Sequence, residues 1–184
     1  MAARTVQKER TRQAIIEAAR ALVVENGAVT MPAVAAGARV SEATAYRYYP
    51  DLVSLLRDAV ADVWPAPEDM VALDGIDDLA ERVARVAEAF CARTLAHEIS
   101  VRALVAASLT GSSAQRPVHR FEVIEHALAP VPPSPERTEL VQRLAMVISA
   151  EALFTLLDLC GLGPAEATTS LAMCAAAVVD STEL

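Results

Sequence analysis

Aromatic residues make up only 4% of the 184-residue chain, and glycines number six. Sheets draw on aromatic and β-branched side chains, so this scarcity beside abundant alanine favours helices. Cysteine is scarce too. Cys91, Cys160 and Cys174 are far apart, odd in number and set among apolar neighbours, which fits reduced, intracellular use rather than a disulfide framework. Residues 1–20 are charged throughout and lack an apolar stretch, so no secretory leader is expected. The most apolar run, 144–162, is interrupted by Glu151 and Asp158 and reads as a buried helix rather than a membrane span. Motifs of catalysis are missing as well: there is no G-x-S-x-G elbow, no phosphate-binding P-loop and no G-x-G-x-x-G after a strand. The histidines His97, His119 and His126 show no H-x-x-x-H spacing, and Cys91 and His97, six apart, do not share a helical face. No catalytic residue, metal ligand or cofactor is expected.

What is present is a core-forming composition, 54% hydrophobic with 22% charged, sufficient for one large domain or a small one fused to a larger. The net charge of −8 is unevenly spread. Residues 1–50 carry seven basic and four acidic side chains, a balance of +3, and residues 51–184 carry −11. A basic first quarter on an acidic remainder suggests an arm for a polyanion on a body that repels one.

Helical periodicity organises the rest. A first helix is expected over 6–25, with Ile15, Ala18, Ala19, Leu22 and Val23 on one face and "ENG" at its end, Gly27 being suited to a left-handed cap. Thr30 caps a short second helix with Pro32 in its first turn, and Gly37 ends it with a sharp turn. Ser41 caps a third helix that closes before Pro50, and Asp51 caps a fourth, 52–64. Residues 65–75 read as linker. Five longer patterns follow, at 77–95, 98–110, 118–129, 135–160 and 164–181, separated by "TGSSAQRP", "PVPPSP" and "GLGP". The chain is expected to be all-α with about nine helices. Its first three form a helix-turn-helix, the arrangement that seats a second helix in the DNA major groove.

"SEATAYRYYP", residues 41–50, carries the sharpest signal. On a helical wheel Ala45, Tyr49 and Leu52 share a face and turn inward, leaving Glu42, Ala43, Tyr46 and Arg47 on other faces, flanked by Thr44 and Tyr48. Tyrosine and threonine hydroxyls with an arginine suit phosphate contact, and arginine also reads guanine. The free N–H groups at the Thr30 and Ser41 helix starts can each meet a phosphate.

Residues 8–56 resemble the N-terminal domain of the tetracycline-repressor (TetR) family. The resemblance lies in the "I..AA..L...NG" first helix, the T-x-x-x-[IV]-A-x-x-A-G-x helix start and turn, and the S-x-x-T-x-Y-x-[HY]-[FY]-P recognition helix. It implies a homodimeric, ligand-responsive bacterial transcriptional regulator, usually a repressor, working in the cytoplasm on a double-stranded operator. By position it makes Thr30, Ser41, Thr44, Tyr46 and Tyr48 backbone contacts, and Glu42, Ala43 and Arg47 determinants of sequence preference. One departure stands out. Where many members follow the proline with a small polar residue and a phosphate-touching lysine, this chain has Asp51 and Leu52. The basic arm (Arg4, Lys8, Arg10, Arg12) is then expected to carry more of the phosphate attraction, with salt-sensitive binding. Abundant alanine and arginine with little lysine suggest a GC-rich bacterial genome.

The domains are expected at 1–50 for DNA, 51–75 for a connecting helix and linker, and 76–184 for ligand binding and dimerisation. The resemblance implies a homodimer through the last two long helices, which fits their apolar sides, Val141 to Leu156 and Leu171 to Val179. A mostly apolar effector pocket is expected between the other helices, its candidates being Phe90, Arg93, Arg102, Phe121, His126, Met146, Glu151 and Phe154. The polar segment 115–128 is read as an amphipathic helix at the pocket or dimer edge. The fourth helix would link pocket to reading head. The rival reading is a helical interaction protein whose basic N-terminus binds an acidic partner.

Overall fold

The structure, a computed structural model, describes residues 2–25, 27–60, 64–110 and 119–182. Among them are eleven helical segments and no strand: α1 (Ala2–Val24), α2 (Met31–Gly37), α3 (Glu42–Tyr48), α4 (Leu52–Val60), α5 (Pro67–Met70), α6 (Leu79–Ala96), α7 (Glu98–Thr110), α8 (His119–Ala127), α9 (Pro135–Val147), α10 (Ala150–Asp158) and α11 (Pro164–Asp180). The two segments beyond the expected nine have local causes. Pro67 at the first helical position, with Glu68 and Asp69 behind it, turns part of the expected linker into the single turn of α5. The long pattern 135–160 breaks after Ile148, where the Ser149 hydroxyl accepts from the Ala152 N–H at 3.0 Å and starts α10. Only joined across that break does 135–158 reach the length and apolarity of a membrane span. The expected break at 110–117 and the fourth helix beyond Val60 fall largely outside the described residues.

The chain forms two compact units, residues 1–64 with 96–116, and 65–95 with 117–184. Both α4 and α7 pack into the first unit. Its core gathers Ile15, Ile16, Ala19 and Val23 of α1, Val34 and Ala35 of α2, Ala45 and Tyr49 of the recognition segment, Val53, Leu55, Leu56 and Ala59 of α4, and Leu104 of α7. Burying each large aliphatic side chain stabilises the unit by about 1.5–3 kcal/mol. The His97 ring, just before α7, lies 3.0 Å through Nδ1 from the Val23 carbonyl near the end of α1. A carbonyl only accepts, so Nδ1–H is the donor. This bond ties the start of α7 to the end of α1, 74 residues upstream.

One glycine expectation is corrected: Gly27 does not adopt a left-handed conformation. Gly37 is the last residue of α2, as expected, and a Cβ there would stand 3.2 Å from the Ala18 Cβ on α1. Its role is close helix approach. The left-handed residue of the turn is Arg39, at φ 56°.

In the second unit α8 packs on α9, α9 and α10 on α11, and α5 on α8. Val83, Val86, Ala87 and Phe90 of α6, Ile124 of α8, Leu140 and Leu144 of α9, Leu153 of α10 and Leu171 of α11 are buried. Arg82 is buried among them, and among the described residues no carboxylate pairs with it. Its guanidinium donates to the carbonyls of Ala127 (2.8 Å), Leu73 (3.0 Å), Ile76 (3.2 Å) and His126 (3.3 Å). Two of these oxygens end α8, where helix carbonyls lack their own partners and the helix dipole is negative. Arg120 brackets the α9–α10 break, donating to Glu151 at 2.7 Å and to the Ala145 carbonyl at 3.4 Å.

Candidate nucleic-acid interface

Two short helices with the Arg39 turn between them build the interface. The Thr30 hydroxyl accepts from the Ala33 N–H at 3.3 Å and starts α2. The Ser41 hydroxyl accepts from the Thr44 N–H at 3.2 Å and lies 2.9 Å from the Thr44 hydroxyl, starting α3. With both caps satisfied the helices begin where the sequence places them. Ala45 and Tyr49 are buried, so α3 has one orientation on the core. That orientation turns Ser41, Glu42, Ala43, Tyr46 and Arg47 outward, Tyr46 being 48% exposed, with Thr44 and Tyr48 half-buried. Thr30 is exposed as well. The expected contact residues of 41–48 therefore share the outer side of α3 and its flank, while Thr30 stands at the start of α2.

The N-terminal part of α1 adds charge beside them. Gln7, Lys8, Arg47 and Tyr48 line an open groove of about 450 Å³, with the Arg47 guanidinium 5.7 Å from the centre of the Tyr48 ring. Lys8 and Arg10 are exposed. Arg12, expected to join them as a free cation, does not. It donates to Asp58 of α4 at 2.7 Å and stands 3.7 Å from Glu9. The Tyr49 hydroxyl donates to the same Asp58 oxygen at 2.9 Å, and Arg12 lies 5.8 Å from the Tyr49 ring centre. Burial, then the hydrogen bond and the charge of Asp58, push the Tyr49 hydroxyl up to about 12. Tyr49, then Asp58 and Glu9, hold Arg12 above its usual value against the opposing cost of burial. At the start of α4 the Asp51 carboxylate accepts from the Ser54 N–H at 2.7 Å, and Leu52 packs on the core, so neither offers a cation.

Sequence reasoning missed Arg39. It is exposed, its backbone sits where glycine is usual, and it lies two residues before the Ser41 cap. The available signal was a turn whose glycine, Gly37, comes too early to sit at its left-handed position.

The candidate pocket residues are spread out. Phe90 and Phe154 are buried and Arg93 is half-buried. The His126 Nε2 lies 3.1 Å from the Val71 carbonyl, and Glu151 is paired with Arg120. Phe121 and Met146 face outward, the latter 77% exposed, while Arg102 belongs to the first unit and pairs with Glu98 at 2.8 Å. Of the cysteines, only Cys91 is buried, and burial pushes its thiol up to about 12; Cys160 and Cys174 are exposed.

A helix-turn-helix with a polar, basic outer side on an otherwise acidic chain defines a DNA-binding regulator. Residues 15–59 match the family model of the bacterial regulatory proteins of the tetR family. A TetR transcriptional regulator from Rhodococcus sp. RHA1 has a similar fold, with a TM-score of 0.65 over 95% of this chain and 99% of that one, at 18% identity. No curated protein matches the chain. Over residues 15–59 the chain is thus similar to the bacterial regulatory proteins of the tetR family, and the likeness in fold extends over the whole chain.

Proposed function

We propose that the protein is a homodimeric, effector-released transcriptional repressor working in the bacterial cytoplasm. The observation that carries the reading is the outward side of α3, where Tyr46 and Arg47 stand beside the Lys8 groove while Ala45 and Tyr49 hold the helix on the core. On this reading Thr30, Ser41, Thr44, Tyr46 and Tyr48 meet phosphates and sugars, and Glu42, Ala43 and Arg47 meet base edges. Lys8 and Arg10 supply the long-range attraction.

Dimerisation is supported by apolar side chains left exposed on the last helices, Met173 at 68% on α11 and Leu159 at 82% after α10. Ala165, Thr169 and Ser170 beside Met173 are small enough for a second helix to approach. Pairing two heads sets a half-site spacing and doubles the contacts. The effector would be a small, largely apolar molecule held in the second unit. It would act by binding better to one separation of the heads than to the other. The fourth helix is the element expected to carry that change.

The test combines sedimentation with duplex binding. Met173→Glu should yield a monomer that still folds but binds a two-half-site duplex at least tenfold more weakly. Arg47→Ala should leave the dimer intact and relax base preference. A dimer that survives Met173→Glu, together with base preference unchanged by Arg47→Ala, would refute this assignment of surfaces.

A further inference from the structure

Asp58 receives two donors on one oxygen, Tyr49 from the end of the recognition helix and Arg12 from α1. Three helices thus meet at one carboxylate. The Tyr49 backbone caps α3, its N–H bonding to the Ala45 carbonyl, so its hydroxyl bond fixes where that helix ends. Arg12 stands one helical turn beyond Lys8 on the same face of α1, about 6 Å further along, and Lys8 lines the groove with Arg47. Its side chain is 45% exposed, so it is engaged without being buried. An arginine released from this position would extend the groove's positive charge.

We propose that Asp58 is a positioning residue for DNA reading, which seats the recognition helix through Tyr49 and withholds Arg12 from the phosphate backbone. The inference rests on the DNA-reading function proposed above. Withholding has a physical purpose. Phosphate contacts raise affinity for every sequence equally, so each one removed from the unselected contact set leaves a larger share of binding to base contacts. The basic arm then attracts through Lys8 and Arg10, while Arg12 braces the head.

The two roles separate by mutation. Asp58→Asn retains an acceptor but removes the charge, so Arg12 is freed. The slope of log affinity against log salt should steepen by about 0.9, equivalent to about a threefold larger change between 50 and 200 mM salt. Binding to unrelated duplex should rise, and the ratio of specific to unrelated binding should fall. Tyr49→Phe should lower that ratio with no change in slope, since Arg12 remains paired. The decisive comparison is Arg12→Gln. In the wild-type background it should leave the slope unchanged; in the Asp58→Asn background it should restore the wild-type slope.

Melting temperatures measured alongside separate this from a loss of folding, which would weaken specific and unrelated binding together. If Arg12→Gln lowers the slope equally in both backgrounds, Arg12 already contacts phosphate and the withholding role is overturned. If Tyr49→Phe leaves the ratio of specific to unrelated binding unchanged, the seating role is overturned. A wild-type protein that prefers no duplex at all would instead overturn the DNA-reading function itself.

Discussion

Arg82 offers the most quantitative test of how the second unit holds together. A guanidinium has five N–H donors in a fixed fork, and here four contacts go to backbone oxygens of two segments, 73–76 and the end of α8. No carboxylate shares the charge in these contacts, so the stabilisation comes from oriented carbonyls. Arg82→Met keeps most of the stem but takes a donor from four carbonyls, of which Leu73 and His126 keep a bond from the Ile76 and Ala129 N–H groups while Ala127 and Ile76 lose theirs. An acceptor stranded in the interior costs about 1–3 kcal/mol, and those nearer the surface recover water. Allowing for that recovery and for the relief of desolvating a cation, the expected loss is about 3–4 kcal/mol, a large part of a typical domain's stability. Arg82→Lys keeps the charge on a flexible stem with three donors and should lose about 1–2 kcal/mol. Urea denaturation followed by circular dichroism measures both, provided the slope with denaturant is unchanged. A loss below 1 kcal/mol for Arg82→Met, or a lysine as damaging as methionine, would refute the carbonyl-hub account.

Three further predictions follow from local geometry. Gly37→Leu should destabilise the first unit by about 1–3 kcal/mol, because even a Cβ there meets Ala18 at 3.2 Å; adding Ala18→Gly should recover part of the loss in thermal melts. Arg39→Gly should raise stability by about 0.5–1 kcal/mol by relieving the left-handed backbone. The same change should weaken duplex binding about threefold to tenfold if the exposed cation meets phosphate; a gain in stability with unchanged binding would remove Arg39 from the interface. Alkaline titration tests Tyr49 and Cys91, both pushed up to about 12. Their folded forms hold the proton more tightly than the unfolded chain, so the stability they contribute is complete below about pH 9 and is lost as pH rises towards 12. Tyr49→Phe should reduce that alkaline loss while lowering stability at neutral pH through the missing bond to Asp58; an alkaline profile identical to wild type would contradict the assignment.

The helix-turn-helix was legible because its punctuation is local. Thr30 and Ser41 are caps read within three residues of their partners, Pro50 stops α3, and the wheel alone separates Ala45 and Tyr49 from Tyr46 and Arg47. What escaped was set by contacts distant in sequence. Arg12 and Asp58 are 46 residues apart, and Arg82 reaches 45 residues to Ala127, so neither pairing leaves a periodic trace. The placement of α7 with the head follows from which core Leu104 enters, and periodicity reports only that a face is apolar. Other misses had local signals that were outweighed. Ser149 inside an apolar run was a cap, and Pro67 followed by two acids was a helix start. Gly37 was read as turn freedom because sequence cannot show that a neighbouring helix passes close by.

Selection of the purified protein against a random duplex library, followed by affinity for the winner and its scrambled version at two salt concentrations, tests the central claim most directly. The account predicts an enriched near-palindrome with half-sites one helical turn or a multiple apart, bound more tightly than the scramble at both salts. No enrichment, or binding that falls equally for all sequences as salt rises, would contradict it and leave the basic arm as a general polyanion binder.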